Sequence, residues 1–238
     1  MLVAATATAP QVATHLAAGR GVAILPFGAL EQHGPHLPLA TDTITAEAVA
    51  AALADRLDAL LLPAVPFGDT WNMSGYPGTV SLRPETVTAI AEDVGRGVAA
   101  SGARLLVVVN GDWGNRAPLA VAARRLADVL PTVVLDHPGL DAAIDRVRES
   151  RPAAAGLAHA EEVETSLLLH LAPHLVGDER PAEYPDFPSD FGVRPMRMHP
   201  FSASGVFGDA GPATAAKGAA LLDAVADESM RVLADLLP

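Results

Sequence analysis

Four short apolar runs recur along this chain, and stretches with a helical spacing of apolar residues separate them. The runs are "GVAILPFG" (21–28), "LLLPAVPFG" (60–68), "RLLVVVNG" (104–111) and "TVVLDH" (132–137). Strands that alternate with helices usually pair in parallel, because each helix carries the chain back across the sheet before the next strand begins. The sequence therefore predicts an α/β fold in which helices cover a parallel sheet.

The first two long helices have recognisable ends. One is predicted from about Thr43 to Asp58, with Asp42 or Thr43 as its N-cap. The next starts near Pro84, a residue that suits the first helical turn, and ends before Gly102.

Three further helices are predicted after Asn115, over 161–172 and over roughly 213–236. Residues 176–205 are rich in proline and lack periodicity, so we expect a long loop there. No linker divides the chain, and we expect residues 1–238 to form one domain.

Composition excludes several classes of protein. Half of the residues are apolar, which disfavours disorder, yet no apolar run approaches the length that spans a bilayer. A formal charge of −12 with scattered basic residues disfavours a nucleic-acid partner. The chain has no cysteine, and its first residues lack the pattern of a signal peptide, so we expect a cytoplasmic protein.

Polar side chains gather directly after two of the predicted strands. Glu31, His33 and Asp42 lie in "GALEQHGPHLPLATDT" (28–43), and Asp112 lies in "NGDWGN" (110–115). Ligands of parallel sheets bind beyond the carboxyl ends of the strands, so these residues should share one edge. The alternative for each cluster is an ordinary polar turn, with Asp112 as a local hydrogen-bond acceptor.

A third cluster, "HAEEVETS" (159–166), offers His159, Glu161, Glu162 and Glu164 at the start of a helix. By itself it could be an ordinary acidic first turn. Together, carboxylates and imidazoles without cysteine are typical ligands of Zn²⁺, Mn²⁺ or Fe²⁺. Two such ions bridged by a carboxylate would polarise a carbonyl and lower the pKa of a bound water, which is the chemistry of hydrolysis.

In this order, "LPFGALEQHGPHLPLATDT", "YPGTVSL", "VVVNGDWGN", "HAEEVETSLLLHL" and "GVFGDAGPATAAKG" resemble the creatininase (creatinine amidohydrolase) family, nearest the branch that contains the mycofactocin precursor peptidase. The resemblance implies a three-layer α/β/α domain with a mainly parallel sheet, a dinuclear centre of Zn²⁺, Mn²⁺ or Fe²⁺, hydrolysis of a non-peptide or terminal amide C–N bond, and often a homohexamer. It does not imply a nucleic-acid or membrane partner.

Matched residue by residue, the resemblance assigns roles within the site. Glu31 would bind one metal, His33 the other, and Asp42 would bridge them. Glu162 would supply a carboxylate to the second ion. His159 would match the histidine that passes a proton to the leaving nitrogen, a role that suits an imidazole titrating near the working pH.

This chain departs from the family pattern at several positions. Asp112 replaces the usual ligand histidine of the asparagine-glycine motif, and Trp113 replaces a glycine. An oxygen ligand there would shift preference toward harder ions such as Mn²⁺ or Mg²⁺, or the first metal is lost. Asn72 and Met73 replace a Glu-His pair of the branch, so we expect a rebuilt substrate pocket.

Aromatic and apolar residues within these motifs are candidates for the wall of the substrate pocket. They either stack against a planar substrate or are ordinary core residues: Trp71, Met73, Tyr76 and Trp113.

Three functional hypotheses follow. The first is a metal-dependent amidohydrolase that cleaves a small cyclic amide or part of a modified peptide. The second is an altered relative that keeps the fold as a binding or scaffolding protein, favoured by the loss of the motif histidine. The third keeps one metal and catalyses a different reaction, such as a cyclisation or an isomerisation.

Overall fold

A parallel sheet forms the centre of the computed structural model, which describes residues 1–237. Its strands lie in the order β1-β3-β2-β4-β5, and every neighbouring pair is parallel. Their bounds are β1 Leu2–Val3, β2 Val22–Phe27, β3 Leu60–Leu61, β4 Leu105–Asn110 and β5 Thr132–Leu135. The prediction of a mainly parallel sheet is confirmed.

Seven α-helices pack around the sheet in the part of the chain that the structure describes. They are α1 Ala9–Ala18, α2 Thr41–Leu57, α3 Pro84–Ala100, α4 Arg116–Leu126, α5 Leu140–Val147, α6 Glu162–Leu171 and α7 Ala215–Leu233. Helices α1, α3 and α4 cover one face, whereas α2 and α7 cover the other, with α5 and α6 packed beyond them. The three-layer α/β/α architecture is therefore confirmed.

The central strands explain why the sheet is buried on both faces. All six residues of β2 are buried, and successive side chains point to opposite faces. Leu25 and Phe27 pack under the first helical layer, whereas Val22 and Ile24 pack under the second. Apolar residues at every position, rather than at alternate positions, are what a doubly covered parallel strand requires.

Some sequence predictions were wrong in detail. The run 60–68 pairs as a strand only at its start, because Pro63 and Pro66 provide no N–H group for a ladder. Helix α2 begins earlier than predicted, with Ala40 as its N-cap. The Thr43 hydroxyl instead donates to the carbonyl of Ala29, and the Asp42 carboxylate turns toward His33.

Residues 176–205 contain little regular structure. Strand β6 (Ala182–Glu183) pairs antiparallel with β7 (Gly208–Asp209), and the rest of the segment consists of turns and irregular backbone. Part of it, residues 191–198, forms one wall of a cavity at the carboxyl edge of the main sheet. No helix within residues 1–237 has both the length and the apolar character that crossing a bilayer requires.

Candidate metal centre

Three chain segments meet at the carboxyl edge of the sheet. Glu31 and His33 follow β2, Asp42 lies in the first turn of α2, and Asp112 follows β4. Gly111 permits this approach, since a Cβ atom there would lie 2.4 Å from the carbonyl oxygen of Asp42. The loop after β4 can therefore bring Asp112 beside Asp42 only without a side chain at position 111.

The ligand atoms of this cluster surround His33. Its Nε2 lies 3.2 Å from Asp42 Oδ1, 3.6 Å from Glu164 Oε2 and 4.0 Å from Glu31 Oε1. Three overlapping sets each hold ligand atoms within 4.8 Å of one another: Glu31 with Asp42 and Asp112, His33 with Asp42 and Glu164, and Glu31 with His33 and His159. Glu31, His33 and Asp42 each belong to two of the sets, and Asp42 is the residue that joins the Asp112 set to the Glu164 set, which is the position of a bridging carboxylate.

The polar atoms of the cluster fit divalent ions. Glu31 Oε2, His33 Nε2, Asp42 Oδ2 and Asp112 Oδ2 are buried and have no hydrogen-bond partner among the described residues. Burying such atoms unpaired costs roughly 1–3 kcal/mol each, more for charged groups, so a cation is the natural partner.

The imidazole of His33 is oriented for ligation. Its Nδ1 lies 3.1 Å from the carbonyl oxygen of Glu31. Because a carbonyl only accepts hydrogen bonds, Nδ1 carries a proton, and in the neutral ring the Nε2 lone pair would face the carboxylates. The ring thus presents the atom that a metal ligand needs.

The pKa shifts of the cluster residues also indicate a site that requires positive charge. Burial raises the pKa of Glu31 well above its ordinary value, and the neighbouring Asp112 and Asp42 raise it further. Burial lowers the pKa of His33, but Asp42 and Glu164 outweigh burial and raise it well above its ordinary value. With only protons available, the cluster would therefore hold protons on several of its ligand atoms, whereas cations would let every carboxylate ionise.

His159 lies against this cluster. Its Nδ1 is 3.6 Å from Glu31 Oε1, and its Nε2 is 2.9 Å from the carbonyl oxygen of Gln32. The side-chain amide nitrogen of Gln32 also lies 3.1 Å from Nε2, but the shorter contact to the carbonyl places the proton of the neutral ring on Nε2 and a lone pair on Nδ1. Burial, with a contribution from His33, lowers the pKa of His159 to about 3, so the resting imidazole is neutral and its pKa lies below the near-neutral value that the sequence predicted.

The structure does not bring Glu162 to the cluster. Its carboxylate contacts Lys217 Nζ at 2.6 Å and accepts from the backbone N–H groups of Glu149 and Ser150. Glu164 occupies the place that the resemblance gave to Glu162. Helix α6 begins at Glu162, and two residues along a helix turn a side chain by about 200°, so the two carboxylates face opposite directions.

The spacing of the carboxylates in "EEVE" (161–164) is a sequence signal for this arrangement, although the family resemblance assigned the ligand role to Glu162. Glu161 is buried, pairs with Arg148 and accepts from the N–H of Val163 as the N-cap of α6. Glu161 is the N-cap, and Glu162 is the first residue of the helix. Glu164 lies two residues later, so its carboxylate faces the opposite side of α6 from that of Glu162.

A cavity of about 690 Å³ opens above the cluster. Trp71, Met73 and Trp113 line it, as expected for a substrate wall, with 42% of Trp71 and 66% of Trp113 exposed. Tyr76 does not line it. Its hydroxyl donates to the carbonyl oxygen of Ser202 at 2.6 Å, and its ring packs on the cluster of apolar residues that contains Phe207.

The comparisons with known proteins agree with this architecture. The family model described as creatininase, creatinine amidohydrolase, matches residues 5–233. The chain is 36% identical over 230 residues to the mycofactocin precursor peptide peptidase of Mycobacterium tuberculosis, covering 90% of this chain and 85% of that protein. It is 34% identical over 229 residues to the creatinine amidohydrolase of Pseudomonas putida, covering 87% and 86%.

Similarity to solved structures extends along the whole chain. A manganese form of creatininase superposes with a TM-score of 0.85 at 28% identity, covering 100% of this chain and 99% of that one. The fold, the matched family model and the relatives all agree. The chain therefore belongs to the creatininase family and is a metal-dependent amidohydrolase of the creatininase type.

Proposed function

We propose that this amidohydrolase holds two divalent ions and cleaves an amide C–N bond of a peptide or of a small cyclic amide. Glu31, Asp42 and Asp112 would hold one ion, and His33, Asp42 and Glu164 the other. The observation that carries the proposal is the shared position of Asp42, whose carboxylate belongs to both ligand sets.

The residues have distinct tasks in this reaction. When bound, the ions polarise the scissile carbonyl and lower the pKa of water. As water adds to the carbonyl carbon, the neutral His159 would accept a proton of that water at Nδ1 and deliver it to the leaving nitrogen as the C–N bond breaks. The carbonyl of Gln32 holds the ring so that Nδ1 faces Glu31 and the cavity.

The cavity supports a substrate larger than a single small ring. Its volume of about 690 Å³ lies in the range of sites that enclose drug-sized ligands. Its walls combine exposed tryptophan faces with the polar floor, and flat apolar groups stack on such faces. We therefore propose a peptide segment as the preferred substrate and a cyclic amide as the second candidate. The peptidase and the creatinine amidohydrolase are 36% and 34% identical to this chain.

Metal identity is the second part of the proposal. Asp112 supplies oxygen where the family motif has a histidine nitrogen, and oxygen ligands favour harder ions. With Asp112, only one nitrogen ligand, from His33, remains in the two proposed ligand sets. We therefore propose Mn²⁺ ahead of Zn²⁺ or Fe²⁺ as the working metal.

The test combines metal content with turnover. Wild type and Asp42→Asn are stripped with a chelator, reconstituted with Mn²⁺ or Zn²⁺, and assayed by mass spectrometry against short peptides and cyclic amides. We expect two ions per wild-type chain, and loss of at least one ion and of nearly all turnover in Asp42→Asn. One ion or none in the wild type would contradict the dinuclear proposal. Two ions without cleavage of any amide would contradict the proposed substrate classes.

Assembly and location also stay predictions. We propose a homo-oligomer, with a hexamer as the form implied by the family resemblance, and a cytoplasmic location. Light scattering of the purified chain measures its subunit number directly.

A further inference from the structure

One wall of the acidic cavity contains the positively charged side chain of an arginine. Arg116 is the first residue of α4, lines the cavity beside Trp113, and leaves 53% of its side chain exposed. A positive side chain at a helix N-terminus opposes the helix dipole, so its position does not serve the stability of α4. The placement calls for another explanation.

One ion pair and two hydrogen bonds connect this arginine to the loop that carries Asp112. Its Nε lies 2.5 Å from Asp136 Oδ2, and Asp136 Oδ1 accepts from the side-chain amide of Asn110 at 2.9 Å. The same amide nitrogen of Asn110 donates to the carbonyl oxygen of Asp112. These contacts connect the guanidinium, through Asp136 and Asn110, to the backbone of a proposed metal ligand.

Most of the donor capacity of Arg116 remains available. A guanidinium has five N–H donors, and within residues 1–237 only Nε is engaged. The remaining fork matches the geometry of a carboxylate, which can accept two parallel hydrogen bonds. The overall charge of −12 otherwise disfavours an anionic ligand, so a specific cation is needed to hold one.

The carboxylates on the floor of the cavity would not repel an anionic substrate when two divalent ions are bound. Two divalent ions would cancel the charges of the four carboxylates Glu31, Asp42, Asp112 and Glu164. The second arginine of the wall, Arg194, is 63% exposed and pairs with Asp190 on its own loop, without a link to the metal centre. Arg116 is the cation that the fold connects to the reacting centre.

We propose that Arg116 binds a carboxylate of the substrate and so selects anionic amides, such as peptide segments with a free C-terminus. The proposal rests on the proposed function, because the carboxylate belongs to the molecule whose amide bond is cut. Arg116 would act as a specificity-determining residue, with the stacked part of the substrate lying between Trp71 and Trp113.

The two tryptophans of the chain make a direct test available. Both line the cavity, so intrinsic tryptophan fluorescence reports binding there without turnover. The probes are N-acetyl-L-phenylalanine, which is anionic, and its carboxamide, which has nearly the same shape and no charge. Each is titrated into metal-reconstituted wild type, Arg116→Gln, Arg116→Lys and the matched control Arg124→Gln, at an exposed arginine in the last turn of the same helix and outside the cavity.

We expect wild type and Arg124→Gln to bind the anion about tenfold more tightly than the amide. Arg116→Gln should lose this preference, and Arg116→Lys, which keeps the charge without the fork, should retain part of it. Equal affinity for the anion in wild type and Arg116→Gln overturns the proposal, since the carboxylate would then bind the ions or no specific site.

These outcomes are independent of the proposed reaction. An Arg116-dependent preference in a protein that cleaves no amide would contradict the proposed function alone. Cleavage of amides without such a preference would contradict the role of Arg116 alone.

Discussion

The Nε2 atom of His33 lies 3.2 Å from Oδ1 of Asp42, although the two residues belong to different elements, the loop after β2 and the first turn of α2. Oδ1 faces His33, and the other carboxylate oxygen, Oδ2, is buried with no hydrogen-bond partner within the described residues. Asp42 can therefore face two ligand sets at once.

Glu164 and Glu162 form a matched pair two positions apart on α6. Glu164→Gln should lower the metal content from two ions per chain to one, because the second ligand set loses a carboxylate. Glu162→Gln should keep both ions but lower the free energy of unfolding by about 1–3 kcal/mol, since the partly buried Lys217 loses one of its two carboxylate partners and keeps Glu149.

Elemental analysis and urea unfolding of both variants measure these effects. A loss of metal in Glu162→Gln with none in Glu164→Gln would identify Glu162 as the ligand, as the family resemblance implies, and would contradict the geometry of α6.

Asp112→His should change which metal the site selects. Replacing a carboxylate oxygen with an imidazole nitrogen favours Zn²⁺ over Mn²⁺ and removes one negative charge from the site. After reconstitution in an equimolar mixture of the two ions, the Zn²⁺ to Mn²⁺ ratio should rise severalfold relative to wild type. Asp128→His, on the exposed turn after α4, is the control and should leave the ratio unchanged. An unaltered ratio in Asp112→His would remove Asp112 from the ligand set.

His159→Asn should separate proton transfer from metal binding. We expect kcat to fall by about 10²–10⁴-fold, the usual contribution of a general acid–base group, with metal content unchanged. His170→Asn provides the control, because His170 is exposed on the same region of the chain, in α6. The measurement is steady-state kinetics on the best substrate of the panel. Metal loss in His159→Asn would instead make this histidine a ligand of the set that it forms with Glu31 and His33.

His36 should make stability depend on pH. Burial, followed by the charge of Arg180, lowers the pKa of His36 to about 4. The unfolded chain, with a histidine pKa near about 6.5, therefore binds this proton first as the pH falls. Stability contributed by neutral His36 is fully present above about pH 6.5 and is lost as the pH falls through that window toward about 4.

Urea unfolding at pH 7.5, 5.5 and 4.5, with chelator throughout, compares wild type with His36→Asn. The wild type should lose more stability on acidification than the variant does, because the variant has no imidazole to protonate. Parallel stability profiles would show that His36 does not contribute.

The sequence by itself determined the fold class and most of the polar cluster. Continuous apolar runs such as Val22–Phe27 can only be buried on both faces, and their alternation with helical periods leads to a parallel sheet. The polar residues after β2 and β4 follow from that topology, because parallel strands end at the same edge. Glu31, His33, Asp42 and Asp112 therefore converge as their positions in the chain predict.

Only the tertiary structure decided which neighbouring side chain faces the site. The start of α6 set the rotation that sends Glu162 to Lys217 and Glu164 to His33. The packing of the 176–205 segment drew Tyr76 to Ser202, away from the cavity. The link from Arg116 through Asp136 to Asn110 joins residues far apart in sequence. Orientation and long-range contacts depend on packing, which local sequence patterns do not encode.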